Sequence, residues 1–150
     1  MNSYQVQASA VVHAPADVVY AVIADYRNGH PKILPAYFSN LVVEEGGVGA
    51  GTRIRFEITV MGKKQSFRAD ISEPQPGRVL VETNDAMGGS ITTFTVEPTG
   101  NHARVTISTE VKKRGGLGGM IAQLMTSMFL RRVYGQELQL LDEVAKAWKS

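Results

Sequence analysis

Residues 120–149, MIAQLMTSMFLRRVYGQELQLLDEVAKAWK, contain no proline and carry apolar side chains at helical spacing: Leu124, Met128, Tyr134, Leu138, Leu141, Ala145 and Trp148. This pattern predicts one helix, spanning roughly 45 Å at 1.5 Å per residue. A chain of 150 residues needs a helix that long only if another layer wraps along it. The upstream sequence supplies such a layer, with about seven strand-like segments ahead of the helix. A sheet curved around a helix leaves space between the two, and function is expected there.

Immediately before the helix, Gly115-Gly116-Leu117-Gly118-Gly119 reads as a flexible hinge that seats it on the sheet. Further back the apolar period is two. Val6, Ala8, Ala10 and Val12 alternate with polar neighbours, and so do Ile54, Phe56, Ile58 and Val60. Met61-Gly62-Lys63 predicts a hairpin into a strand with Gln65, Phe67, Ala69 and Ile71 on one side. In residues 78–84, Val79, Val81 and Thr83 oppose Leu80, Glu82 and Asn84, and alternation alone leaves open which set faces inward. Two short helices follow the first strand. Ala14-Pro15-Ala16-Asp17 opens one, with Val18, Val19, Val22 and Ile23 as its buried stripe. Pro31 and Pro35 bracket the other, at residues 32–34.

Composition narrows the function. Hydrophobic residues make up 43% and charged residues 20%, as in ordinary soluble domains, and residues 1–150 are expected to form a single domain. The net charge of +2, from 16 Lys and Arg against 14 Asp and Glu, creates no strong field, so no nucleic-acid partner is expected. Lys112-Lys113-Arg114, the single cationic run, reads as a solvated strand end. The absence of cysteine excludes disulfides and thiolate chemistry. No apolar stretch approaches the ~18 residues of a membrane span or resembles a signal peptide, so the expected location is cytoplasmic. His13, His30 and His102 lack metal-ligand spacing, and no phosphate-binding or dinucleotide fingerprint is present. Neither metal nor cofactor is expected.

Several local motifs carry a resemblance. They are Val12-His13-Ala14-Pro15-Ala16-Asp17-Val18-Val19-Tyr20, then Ile23-Ala24-Asp25-Tyr26, Ile33-Leu34-Pro35 and Gly49-Ala50-Gly51-Thr52-Arg53. The Glu73-Pro74-Gln75-Pro76-Gly77-Arg78 turn and Thr93-Phe94-Thr95-Val96-Glu97-Pro98 complete the set. With the order of elements, they make the whole chain resemble the START/polyketide-cyclase-like (SRPBCC) superfamily. The resemblance implies an α+β helix-grip fold: a curved seven-stranded antiparallel sheet wrapped around a long C-terminal helix, with two short helices after the first strand. It also implies a cavity for a hydrophobic or amphipathic small molecule, such as a polyketide, isoprenoid, quinone or lipid. Because function in this superfamily resides in the cavity lining, fold alone does not assign it.

Candidate lining residues are Ile33, Leu34, Tyr37 and Phe38 from the second helical segment, and Phe56, Ile58, Phe67, Thr92 and Phe94 from the strands. The long helix contributes Met120, Leu124, Met125 and Met128, methionine being adaptable to irregular ligand surfaces. Tyr26, His30, Tyr37 and Glu82 are the candidates for proton transfer. His30, between Asn28-Gly29 and Pro31, is expected in an exposed turn, and Glu82 is expected to face solvent because an unpaired buried carboxylate is costly. Asn84, Ser90 and Thr92 are inward-facing polar candidates, while Arg131 and Arg132 are expected on the outer helix face. The leading reading is a hydrophobic-ligand binding protein. A cofactor-free cyclase or dehydratase and a protein-interaction module are the alternatives, and a homodimer is left open.

Overall fold

The computed structural model describes residues 2–148. Its seven strands are β1 (Ser3–Val12), β2 (Phe38–Glu45), β3 (Arg53–Val60), β4 (Lys63–Gln75), β5 (Val79–Asn84), β6 (Ser90–Thr99) and β7 (His102–Lys112). They form one antiparallel sheet in the order β1-β7-β6-β5-β4-β3-β2. Helices α1 (Ala16–Ala24) and α2 (His30–Ile33) follow β1, and α3 (Gly116–Lys146) closes the described chain. This is the α+β helix-grip arrangement.

Alternation decides which side of each strand meets the helix. On β7, Ala103, Val105, Ile107, Thr109 and Val111 are buried. On β6, Ser90, Thr92, Phe94 and Val96 are buried, and they lie beside their β7 counterparts in register. Register shifts between Ser39 and Val42, between Val43 and Glu45, and between Ser72 and Gln75 mark bulges, which bend and twist a sheet. Asn40 takes a left-handed backbone (φ 53°) at the first of these, a conformation asparagine tolerates better than most residues. The arginine-rich side of β3 and β4 faces solvent, where Arg53 binds Asp70 at 2.8 Å and Arg68 binds Glu44 at 3.3 Å.

Two boundaries differ from the sequence expectation. Helix α3 begins at Gly116, inside the expected hinge, and ends at Lys146; the expected end at Lys149 lies outside the described residues. A Cβ on Gly119 would stand 2.1 Å from the Arg114 carbonyl oxygen. That glycine therefore serves close backbone approach in a first helical turn, not flexibility. The second short helix occupies His30–Ile33, two residues earlier than expected, with Pro31 near its start, where a missing N–H costs nothing.

Helix α3 buries its large apolar side chains only over its C-terminal part, through Leu130, Val133, Tyr134, Leu138, Leu141 and Ala145. These pack over β1 and the two short helices. Between the stretch of α3 from Met125 to Glu137 and the inner face of the sheet lies a cavity.

Candidate functional site

The chain between α1 and α2 builds the inner wall of the site. The Asp25 carboxylate accepts hydrogen bonds from the Arg27 and Asn28 N–H groups at 3.0 and 2.9 Å. Its carbonyl accepts from the Gly29 and His30 N–H groups at 3.0 and 2.7 Å. These bonds fold the turn back onto α1 so tightly that a Cβ on Gly29 would lie 2.4 Å from the Val22 carbonyl oxygen. The folded-back turn drives His30 into the protein, where it is 2% exposed. The expectation of an exposed loop histidine is corrected. Asn-Gly followed by Pro does mark a turn, but this one packs on a helix instead of projecting into water.

His30 is held on three sides. Its ring stacks on Tyr26, with centroids 4.3 Å apart, and meets Phe94 edge-on at 5.5 Å. Nδ1 lies 2.7 Å from the Ile23 carbonyl oxygen, which can only accept, so Nδ1 carries the proton of that bond. Nε2 therefore points at the remaining neighbours, Glu82 Oε2 at 3.5 Å and Glu137 Oε1 at 3.9 Å. The Tyr26 hydroxyl donates to Glu82 Oε2 at 2.5 Å.

Strand β5 is thereby oriented: Leu80, Glu82 and Asn84 face inward. The outward expectation for Glu82 is corrected, because Tyr26 and His30 supply the partners whose absence would have made its burial costly. Glu137 was not foreseen at all. It is 3% exposed and its carboxyl group is held well above the usual range, first by burial and then by the neighbouring Glu82 charge. The same causes, burial and then Glu82, raise the Tyr26 phenol. One signal for Glu137 was available. It lies four residues after Val133, three after Tyr134 and four before Leu141, within the buried stripe of α3.

This cluster forms part of the wall of a cavity of about 610 Å³. Phe56, Ile58 and Phe67 line it from β3 and β4, Thr92 and Phe94 from β6, and Phe129, Leu130 and Val133 from α3. Leu34 and Phe38 close one side, and Met61, Met87 and Met125, all partly or largely exposed, lie toward solvent. Polar edges come from Asn84, Ser90 and Thr92. The Ser90 hydroxyl donates to Asn84 Oδ1 at 2.6 Å, and Thr92 shares a hydrogen bond of 2.8 Å with Thr109, whose hydroxyl contacts that of Tyr134.

Five expected lining residues are not brought to the cavity. Ile33, the last residue of α2, is fully buried in the core. Tyr37 packs edge-on against Phe129, with centroids 5.1 Å apart, behind the lining. Met120, Leu124 and Met128 are 61–68% exposed and do not line the cavity; of the apolar stripe on the first part of α3, Met125 does. Arg131 and Arg132 are exposed, as expected. Tyr26 does not line the cavity itself and reaches it through two lining residues, Glu82 by its hydrogen bond and His30 by ring stacking. Among the described residues no group of three His, Cys, Asp or Glu side chains is arranged to hold a metal ion, and no helix is long and apolar enough to cross a membrane.

A family model described as polyketide cyclase / dehydrase and lipid transport matches residues 3–146. Among solved structures, the chain is 26% identical to the KanY protein at a TM-score of 0.84, covering 97% of this chain and 99% of that one. It is 19% identical to the Zhui aromatase/cyclase from Streptomyces sp. R1128 at a TM-score of 0.78, covering 96% and 94%. It is 13% identical to a START superfamily protein from Mycobacterium smegmatis at a TM-score of 0.75, covering 95% and 97%. The last two likenesses show the fold alone. No curated protein matches the sequence.

Proposed function

This chain belongs to the polyketide cyclase / dehydrase and lipid transport family, and on that premise we propose that it binds a neutral, largely apolar small molecule in the cavity, through one hydroxyl, phenol or ketone group. The observation that carries this reading is the distribution of polarity along the cavity wall. Aromatic and aliphatic side chains make most of the surface, and the His30–Glu82–Glu137 cluster makes its principal acid–base patch. A volume of about 610 Å³ suits a molecule of drug or lipid-fragment size. The patch selects the chemistry of the ligand's polar end. Burial and the Glu82 charge keep Glu137 protonated, and that charge also repels an incoming carboxylate, while a hydroxyl or ketone finds donors and acceptors in the patch.

The test is mass spectrometry of the native protein and its organic extract, followed by titration with a matched pair: a long-chain alcohol and the fatty acid of the same length. A stoichiometric neutral adduct, with the alcohol bound about tenfold or more tightly than the acid, is expected. Equal or tighter binding of the acid would remove the proposed basis for selectivity.

The cluster also favours a second reading, a cofactor-free dehydratase or cyclase. An imidazole or carboxylate at the patch accepts a proton from the carbon beside a carbonyl, and the Glu137 carboxylic acid gives one to a departing hydroxyl. One C–H and one C–O bond break, a C=C bond forms, and water leaves. Under this reading His30→Gln and Glu137→Gln each retain binding and lower turnover by about a hundredfold or more. Under the carrier reading no turnover exists to lose.

A further inference from the structure

The first part of α3 is amphipathic in the opposite sense from a helix that packs by its apolar face. Leu117, Met120, Ile121, Leu124, Met125 and Met128 follow i, i+3, i+4, i+7, i+8, i+11 spacing and form one stripe. All six are between 54% and 74% exposed. The other side of the same turns, toward the protein, carries small and polar residues instead: Gly119 and Ser127 are buried, and Gln123 and Thr126 partly so. The stripe runs about 16 Å at 1.5 Å per residue, a contiguous apolar surface of the kind that marks an interaction site.

Its charge setting identifies the partner. Residues 111–136 contain no Asp or Glu. Lys112, Lys113 and Arg114 precede the stripe, and Arg131 and Arg132, three and four residues beyond Met128, continue the same helix face. All five are exposed, and among the described residues none has a carboxylate within 4.0 Å. The stripe also adjoins the cavity mouth. Met125 belongs to both, and across the mouth the β3–β4 hairpin places Met61, 95% exposed, beside Lys63. An apolar surface bounded by cations and adjoining the opening of an apolar cavity is complementary to an anionic lipid bilayer. A second copy is a poorer match. Stripe-to-stripe pairing about a two-fold axis gathers ten cations, five from each copy, with no acid in residues 111–136 to meet them.

We propose that the protein docks on anionic membrane surfaces through this face of α3, with the cavity mouth turned toward the lipid. Docking depends on the helix face and not on which ligand the cavity holds, so it stands or fails separately from the reading above.

The test is co-sedimentation of the full chain with vesicles of phosphatidylcholine alone, and with vesicles of phosphatidylcholine and phosphatidylglycerol in equal parts. Expected is binding to the mixed vesicles that exceeds binding to phosphatidylcholine and weakens with added salt. Leu124→Glu, at an exposed position, should lower that binding by about tenfold or more while leaving the thermal melt unchanged. Arg131→Gln combined with Arg132→Gln should bring mixed-vesicle binding down toward the phosphatidylcholine level. Absence of binding, equal binding to both vesicle types, or binding unaffected by Leu124→Glu overturns the proposal. So does a dimer that Leu124→Glu splits in a protein that binds no vesicles, because the stripe then joins two copies.

Discussion

At the scale of single residues, the inner site is governed by where protons reside. Below the ordinary carboxylate range, folded and unfolded chains both hold the Glu137 proton. As pH rises through that range the unfolded chain ionises while folded Glu137 keeps its proton, so stability falls until the folded group ionises as well. Glu137→Gln cannot ionise. Its melting temperature relative to the wild type should rise as pH climbs through and above the ordinary carboxylate range, each kcal/mol gained reading as roughly 2–4 °C. A constant difference across that interval would place the origin of the effect elsewhere. Tyr26→Phe tests the partner of Glu82. Loss of the buried hydroxyl at 2.5 Å should cost about 1–3 kcal/mol, seen as a lower urea midpoint at unchanged slope. These residues were unequally legible. Tyr26, His30 and Glu82 can be picked out as titratable candidates, but neither their proximity nor their burial can, because both depend on segments distant in sequence that meet only after folding. Glu137 had a signal, a charge inside the apolar stripe of α3, but spacing alone does not tell a buried acid from one at the stripe's edge.

At the scale of elements, glycine gives the clearest contrasts. Gly29 and Gly135 are both flanked by helix, yet they answer different demands. A methyl group on Gly29 meets the Val22 carbonyl oxygen at 2.4 Å, so Gly29→Ala must push the α1–α2 turn off α1. It should cost about 1–3 kcal/mol and loosen His30, measurable as a lower urea midpoint together with a shifted His30 ring resonance. Gly135 lies inside α3 with open space around it, so Gly135→Ala should stabilise by about 0.5–1 kcal/mol. A loss there would mean the helix needs its glycine for a bend or contact. The same distinction explains the misplaced start of α3. Clustered glycines at 115–119 have low helix propensity and read as a hinge, but Gly119 is required by the approach of the Arg114 carbonyl. The strand pattern was easier to read, because a period of two with turn residues between runs is imposed by the pleat itself.

At the scale of the whole molecule, the inner face of the sheet and the stretch of α3 from Met125 to Glu137 enclose a cavity, and the proposed binding depends on that space. Ile58→Trp, at a half-buried lining position, should occupy that space. It should weaken the neutral ligand about tenfold or more with stability changed by no more than ~1 kcal/mol. Undiminished affinity would place the ligand outside the cavity. Leu124→Trp, which the bare helical pattern would suggest for the same purpose, adds bulk on the solvent side instead. The sequence by itself determined the strand count and the presence of one long terminal helix, because periodicity and turn chemistry are local and survive in one dimension, and its family resemblance implied the helix-grip arrangement of these elements. Only the tertiary structure decided which side of β5 faces inward, that His30, Glu82 and Glu137 share one patch, and that the first apolar stripe of α3 faces outward. Those outcomes depend on the rotation of one element against another, which is set by the summed packing of distant residues and is not written in the spacing of any single segment.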